Sequence, residues 1–217
     1  MTELVTAAAF LLSINQKPHL AVHFTIAPKW HIYWENPGDS GLATAIETTG
    51  IDENLLYMGP EKIAAPGGLT NYGYHDQTVI FAAVDETYSL TTPIDISWLV
   101  CKADQCIRQQ TTVKAQTASP EKNKHLKHLF EQLPKPLPAD VSQTLTKSTF
   151  TLKWPGKTSL DVFPNETLEP LLTKVNITQN DQQTMLSLQL TENASGKGGG
   201  MIGVKTKNGT EYYLLSF

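Results

Sequence analysis

Short segments in which apolar and polar residues alternate, separated by turn residues, run through most of the chain. Alternation of period two is the signature of half-buried β-strands. The clearest case is "LAVHFTI", where Leu20, Val22, Phe24 and Ile26 share one face. "LVTAAAFLLS", "HIYW", "ATAIETT", "TVIFAAV", "PIDISWLVC" and "CIRQQTTVKA" read in the same way. About eight strands before residue 118 predict an immunoglobulin-like β-sandwich. One segment breaks the pattern. Ser119 and Pro120 fit the N-cap and first position of a helix, and Leu126, Leu129, Phe130 and Leu133 follow helical spacing up to Pro134. "PKPLP", residues 134–138, then reads as a stiff extended linker. Beyond it "TFTLKW", "SLDVF", "LTKVNIT", "TMLSLQL", "MIGVKTK" and "EYYLLSF" predict further strands. The expected organisation is all-β: an immunoglobulin-like domain over residues 1–133 with a helix at 119–133, a Pro-rich linker at 134–148, and a smaller β domain over 149–217.

Composition narrows the function. A chain of 217 residues with 40% hydrophobic and 18% charged residues is ordinary for a globular protein, and a net charge of -4 offers no basic field for nucleic acid. No run reaches the roughly 18 to 20 apolar residues that span a bilayer. "VTAAAFLL" is read as a first strand and not as a signal-peptide core, because Glu3 precedes it, no basic residue does, and the polar "SINQK" follows. The glycosylation sequons at Asn165, Asn176, Asn193 and Asn208 are expected by chance in so Thr- and Asn-rich a sequence. "SGKGGG", residues 195–200, lacks the order of a phosphate loop and reads as a turn between strands. Neither a zinc-protease nor a serine-hydrolase motif occurs. The chain stops at Phe217 within a predicted strand, as expected of a piece of something longer.

Both cysteines fall in "WLVCKADQCIRQQ", residues 98–110. Alternation puts Ile94, Ile96, Trp98 and Val100 on one face and Cys101 on the other; in the return strand Cys106, Arg108, Thr112 and Lys114 oppose Ile107, Thr111 and Val113. With "KADQ" as a four-residue loop, the two cysteines stand opposite each other on the polar face, within disulfide reach. Three readings follow. A structural bridge closing so short a loop contributes about 2 kcal/mol, against nearly 5 for a loop of about 100 residues. An exposed pair flanked by Lys102 and Arg108, with Asp104 partly offsetting them, suits thiol exchange. A metal site for a soft ion such as Cu(I) needs further ligands, which His31, His75 or Met58 can supply only through the fold. The remaining histidines, His19, His23, His125 and His128, are expected on solvated faces or core edges.

"WHIYWENPGDSGLATAIE", "NYGYHDQTVIFAAV" and "WLVCKADQCI", in this order, resemble the periplasmic N-terminal region of the DsbD and ScsB family of membrane thiol-disulfide reductases. The resemblance covers roughly residues 28–110 and extends more weakly, through "DVFP", towards the C-terminus. It implies an immunoglobulin-like periplasmic domain that takes electrons from the membrane-embedded or thioredoxin-like domains of the same longer protein. It passes them to periplasmic thioredoxin-fold proteins. No cofactor is implied beyond the redox-active disulfide. On this resemblance Cys106 makes the mixed disulfides and Cys101 resolves them. It also implies a cap loop, here "LTNYGYHD", in which Tyr72, Gly73 and Tyr74 cover the pair, with Asn71 where DsbD has a capping Phe; Tyr33 lines the same site. Trp98 is core by its parity. Arg108 departs from the Pro of many ScsB-like sequences, and the membrane and thioredoxin-like domains are absent. Two alternatives stay open: a non-catalytic binding sandwich with a structural bridge, and a Cu(I)-binding module concerned with copper tolerance.

Overall fold

The computed structural model describes residues 3–52, 54–191 and 198–217. The sequon at Asn193 and residues 195–197 of the expected turn at 195–200 lie outside the described residues. Two compact units, Met1–Leu133 and Pro134–Phe217, divide the chain.

The first unit contains strands β1 (Val5–Ile14), β2 (Lys17–Ile26), β3 (Ile32–Gly38), β4 (Ala45–Glu47), β5 (Leu56–Tyr57), β6 (Glu61–Ala65), β7 (Leu69–Tyr74), β8 (Gln77–Ala83), β9 (Pro93–Lys102), β10 (Gln105–Lys114) and β11 (Gln116–Thr117), followed by helix α1 (Pro120–Glu131). A five-stranded sheet has the order β11-β1-β2-β8-β5, and two three-stranded sheets have the orders β10-β9-β4 and β3-β7-β6. Alternation explains the layering. Leu20, Val22, Phe24 and Ile26 of β2 and Ile94, Ile96, Trp98 and Val100 of β9 are all buried. Phe24 meets Trp98 edge to face, with centroids 5.9 Å apart, in the centre of an immunoglobulin-like sandwich.

The five-stranded sheet buries its second face as well. Leu12, Ile14, Ala21, Val79 and Phe81 pack with Leu126 of α1, flanked by Leu129, Phe130 and Leu133. Burying Leu126 completely contributes about 2 kcal/mol, and the Ser119 hydroxyl accepts a hydrogen bond from the Lys122 backbone N–H at 3.2 Å to cap the helix. His19 lies in this layer, its ring edge-on to Phe130.

The second unit contains β12 (Ser142–Leu145), β13 (Thr149–Pro155), β14 (Ser159–Pro164), β15 (Leu172–Gln179), β16 (Gln183–Leu190), β17 (Gly199–Thr206) and β18 (Gly209–Ser216). Its sheets run β12-β13-β16-β15 and β14-β17-β18, and Phe150, Leu152, Leu186, Leu188 and Ile202 are at the centre of its core. The stretch expected to be a linker, residues 134–148, is built into this unit. Lys135 exchanges backbone hydrogen bonds with Tyr212 and Leu214, Leu137 and Val141 pack against the core, and Ser142–Leu145 pairs with β13. Its prolines stiffen the backbone, but its apolar side chains still find a core. Among the described residues the chain is all-β beside α1 and one 3₁₀ turn, Glu169–Leu171. Among the described residues no helix is long and apolar enough to cross a membrane.

Candidate functional site

Strands β9 and β10 form a hairpin whose turn is Ala103 and Asp104, two residues shorter than the expected loop, with Lys102 opposite Gln105 and Cys101 opposite Cys106. The cysteines are disulfide-bonded, with Cα atoms 4.2 Å apart. Both hydrogen-bonding groups of Cys101 point the other way. Cys101 N–H donates to the His31 carbonyl at 3.0 Å and the Cys101 carbonyl accepts from His31 N–H at 2.9 Å. Cys101 is therefore in a hydrogen-bonded pair with His31 and a non-hydrogen-bonded pair with Cys106, where side chains approach more closely.

The two sulfurs are not equivalent. Cys106, near the tip of β10, is exposed, whereas Cys101 is only 1% exposed. The expectation that both lie on an open polar face is corrected for Cys101. Parity gives its face of β9, but a further layer made of residues around β3 and β7 covers that end of the strand.

A cleft of about 570 Å³ opens over the pair, lined by His31, Tyr33, Asn71, His75 and the 63–66 stretch of the β6–β7 hairpin. Tyr33 and His31 share a parity in "HIYW", and Tyr33 stands opposite Gly73 in β7, so Asn71 and Gly73 share that face. Tyr72 and Tyr74 point the other way and are not among the lining residues. Tyr72 packs edge-on against Trp34, and Tyr74 donates its hydroxyl to the Met58 carbonyl at 2.8 Å. The segment "LTNYGYHD" is thus mostly a central strand, paired with β3 on one side and β6 on the other, and not a free cap loop. The contribution of Ile63–Pro66 was missed from sequence, although "APGGL" carries the turn signal that makes it a hairpin.

The "NPGDSG" motif holds these side chains. Asn36 Oδ1 accepts from Gly38 N–H at 3.0 Å, Asp39 Oδ2 accepts from Thr70 N–H at 2.7 Å, and Asn71 Oδ1 accepts from both the N–H and the hydroxyl of Ser40, at 2.9 and 3.0 Å. A Cβ on Gly41, where φ is +117°, would fall 2.4 Å from the Tyr33 ring, so glycine is what lets the ring lie flat beneath the loop. Thr44 donates its hydroxyl to the Tyr33 carbonyl at 2.9 Å.

Electrostatics at the cleft are set mainly by burial. Desolvation, and then the neighbouring His75, push the His31 imidazole down to about 4, so it is neutral across the ordinary pH range. The Tyr33 phenol is raised by burial. His31 Nε2 lies 3.4 Å from the Tyr33 hydroxyl, its ring is 5.6 Å from that of His75, and His75 is 3.2 Å from Glu61. Lys102 pairs with Asp104 at 3.6 Å and rests over the Trp30 ring. Arg108 instead lines a polar groove with Glu47 and Asp95 on the outer face of its sheet. Met58 packs with the helix-side core. Among the described residues no group of three or more His, Cys, Asp or Glu is arranged to hold a metal ion.

The family described as "Thiol:disulfide interchange protein DsbD, N-terminal" matches residues 3–118, more than half of the chain. The chain belongs to this family. Its cysteine pair and family membership together make it a thiol-disulfide exchange module in general terms. Its fold is shared with the N-terminal periplasmic domain of ScsB from Proteus mirabilis, at 15% identity and a TM-score of 0.69, over 98% of this chain and 92% of that one. That match includes both units. The reduced DsbD N-terminal domain of Neisseria meningitidis aligns over 51% of this chain and 86% of its own, with 9% identity and a TM-score of 0.36. No curated protein sequence matches the chain.

Proposed function

We propose that this chain is a periplasmic exchange module that passes electrons from a membrane-embedded reductase to thioredoxin-fold partner proteins through Cys101 and Cys106. The membrane-embedded and thioredoxin-like domains belong, on this reading, to the same longer protein. The observation that carries the roles is the unequal exposure of the two sulfurs. Cys106, which a partner can reach, makes the mixed disulfide, and Cys101, buried behind it, resolves that species by attacking Cys106. Electrons move from sulfur to sulfur, so the reading requires no cofactor. Tyr33, Asn71 and the β6–β7 hairpin shield Cys101 from small oxidants, while Cys106 stays open to a docking partner.

Trapping tests the assignment. Cys101→Ala, mixed with an oxidised thioredoxin-fold protein, is expected to accumulate a mixed disulfide through Cys106, detected by mass on a non-reducing gel. Trapping by Cys106→Ala alone reverses the roles. Trapping by neither variant, with partner binding unchanged in the double variant, replaces the relay by a binding sandwich with a structural bridge.

A further inference from the structure

His31, Cys101 and Cys106 form a row across three adjacent strand segments. Each neighbouring pair stands directly opposite in antiparallel register, so all three side chains project from one face. Opposed positions in such pairs have Cβ atoms about 4.5 to 5.5 Å apart. The imidazole is therefore beside the buried sulfur, on the side away from Cys106. We propose that His31 is the proton acceptor for the Cys101 thiol in the resolving step. The proposal rests on the exchange reading above and adds a residue to it.

The need for an acceptor follows from burial. The thiolate is the nucleophile in exchange, and a thiol in apolar surroundings holds its proton more tightly. Cys101 is 1% exposed, so water has little access to it. The groups facing it are few. Lys29 and Lys102 line the cleft as cations, and Asp104 pairs with Lys102. Tyr33 keeps its proton. The Asn71 oxygen already accepts two hydrogen bonds from Ser40. His75 also lines the cleft, with its Nδ1 3.2 Å from Glu61, but it lies outside the register that sets His31 opposite Cys101. His31 is the neutral base in direct register with the sulfur, and its Nε2 faces the Tyr33 hydroxyl.

The step balances as follows. Cys106 thiolate has attacked one sulfur of the partner disulfide, giving a mixed disulfide and a partner thiol. The Cys101 proton passes to the His31 imidazole, and the Cys101 sulfur bonds to Cys106 Sγ. The mixed disulfide breaks, and its bonding pair leaves on the partner sulfur that Cys106 had attacked, which takes up a proton. Two electrons have moved to the partner and the Cys101–Cys106 bridge is restored. In the disulfide form no anion opposes the imidazolium, and burial keeps the ring neutral. In the dithiol form the imidazolium stabilises the adjacent Cys101 thiolate and the thiolate in turn holds the ring's proton, so the two titrate as a coupled pair and His31 is expected to keep its proton to higher pH than in the disulfide form.

The test uses the reduced full chain and dithiobis(nitrobenzoate), an aromatic disulfide that releases one coloured thiolate when Cys106 attacks and a second when Cys101 resolves. His31→Gln is expected to leave the first release unchanged and slow the second by about a hundredfold, the low end for a positioned proton acceptor. It should also remove the wild-type pH dependence of the second phase at acidic pH. A second phase with wild-type rate and pH profile overturns the proposal while leaving the relay intact. A pair that cannot be reduced at all overturns the relay and this inference with it. A measurement without substitution guards against misfolding: the His31 ring, titrated by NMR, must titrate at higher pH in the dithiol than in the disulfide form. Equal titration in the two forms overturns the proposal.

Discussion

The two units of this chain are built by the same rule and put to different use. Both are layered β structures whose inward residues alternate with outward ones. In the second unit the described buried polar residue is Thr184, whose hydroxyl donates to the Gly156 carbonyl and accepts from Thr158 N–H. That hydroxyl is fully used in fixing a turn. In the first unit His31 and Asn71 are buried where they line the cleft over the disulfide, Asn36 and Thr44 are buried in the segments that hold that cleft, and His19 and Thr78 are buried elsewhere. Burying polar groups is costly unless each is hydrogen-bonded. A sandwich that buries two of them beside one cysteine, and two more in the segments that hold them, has given up packing there in order to shape a site. The second unit has no cysteine and no histidine with which to make such a site.

The contrast can be broken most forcefully from the second unit. Leu188→Ala removes a fully buried side chain from the centre of its core and should destabilise that unit by about 2 to 5 kcal/mol, read as a shift in its denaturant midpoint. The rate of thiol release from the aromatic disulfide should not change under native conditions. An equal loss of exchange would mean that the second unit takes part in the chemistry. A smaller effect comes from the site itself. Asn71→Ala leaves the half-buried Ser40 donors without their acceptor, a loss of about 1 kcal/mol. It should also free the "GDSG" loop over Tyr33, so that Cys101 in the reduced chain is alkylated faster while Cys106 is not. Equal acceleration at both sulfurs would show that Asn71 shields the cleft as a whole.

What was legible in the sequence was whatever depends on a single strand or hairpin. Parity placed Trp98 in the core and set Cys101 opposite Cys106, because a hairpin register follows from its own turn. Parity also contained, in "HIYW", the shared face of His31 and Tyr33. What it does not contain is the pairing of His31 with Cys101, seventy positions away, or the layer that buries one sulfur and leaves the other open. Tyr72 and Tyr74 were expected over the sulfurs from the family resemblance, which treats the segment as a cap loop. Once "LTNYGY" is a strand between two others, Asn71 and Gly73 have the parity of the cleft and Tyr72 and Tyr74 do not. Proline content misled at 134–148, where Leu137 and Val141 show that a stiff backbone can still deliver side chains to a core.

The gentlest test is pH, because it alters only charge. His31 holds its proton less tightly in the folded disulfide form, at about 4, than an ordinary histidine near 6.5. Between these values the unfolded chain binds more protons than the folded one, so stability rises with pH across this window. Its contribution is complete above about 6.5, is lost as pH falls towards 4, and changes no further below that. His23, beneath α1, is lowered in the same direction by burial, Lys122 and His125, its hydrogen bond to Gln77 opposing them. Acidification should therefore weaken the first unit progressively, and His31→Gln should flatten the slope without abolishing it. The second unit has no histidine, so its own transition should show no loss centred in this window. Denaturant midpoints for the two units, followed from pH 7 to pH 4, would place the buried imidazole on the first unit alone; an identical slope in the His31 variant would mean that the ring gains its proton without opening the fold.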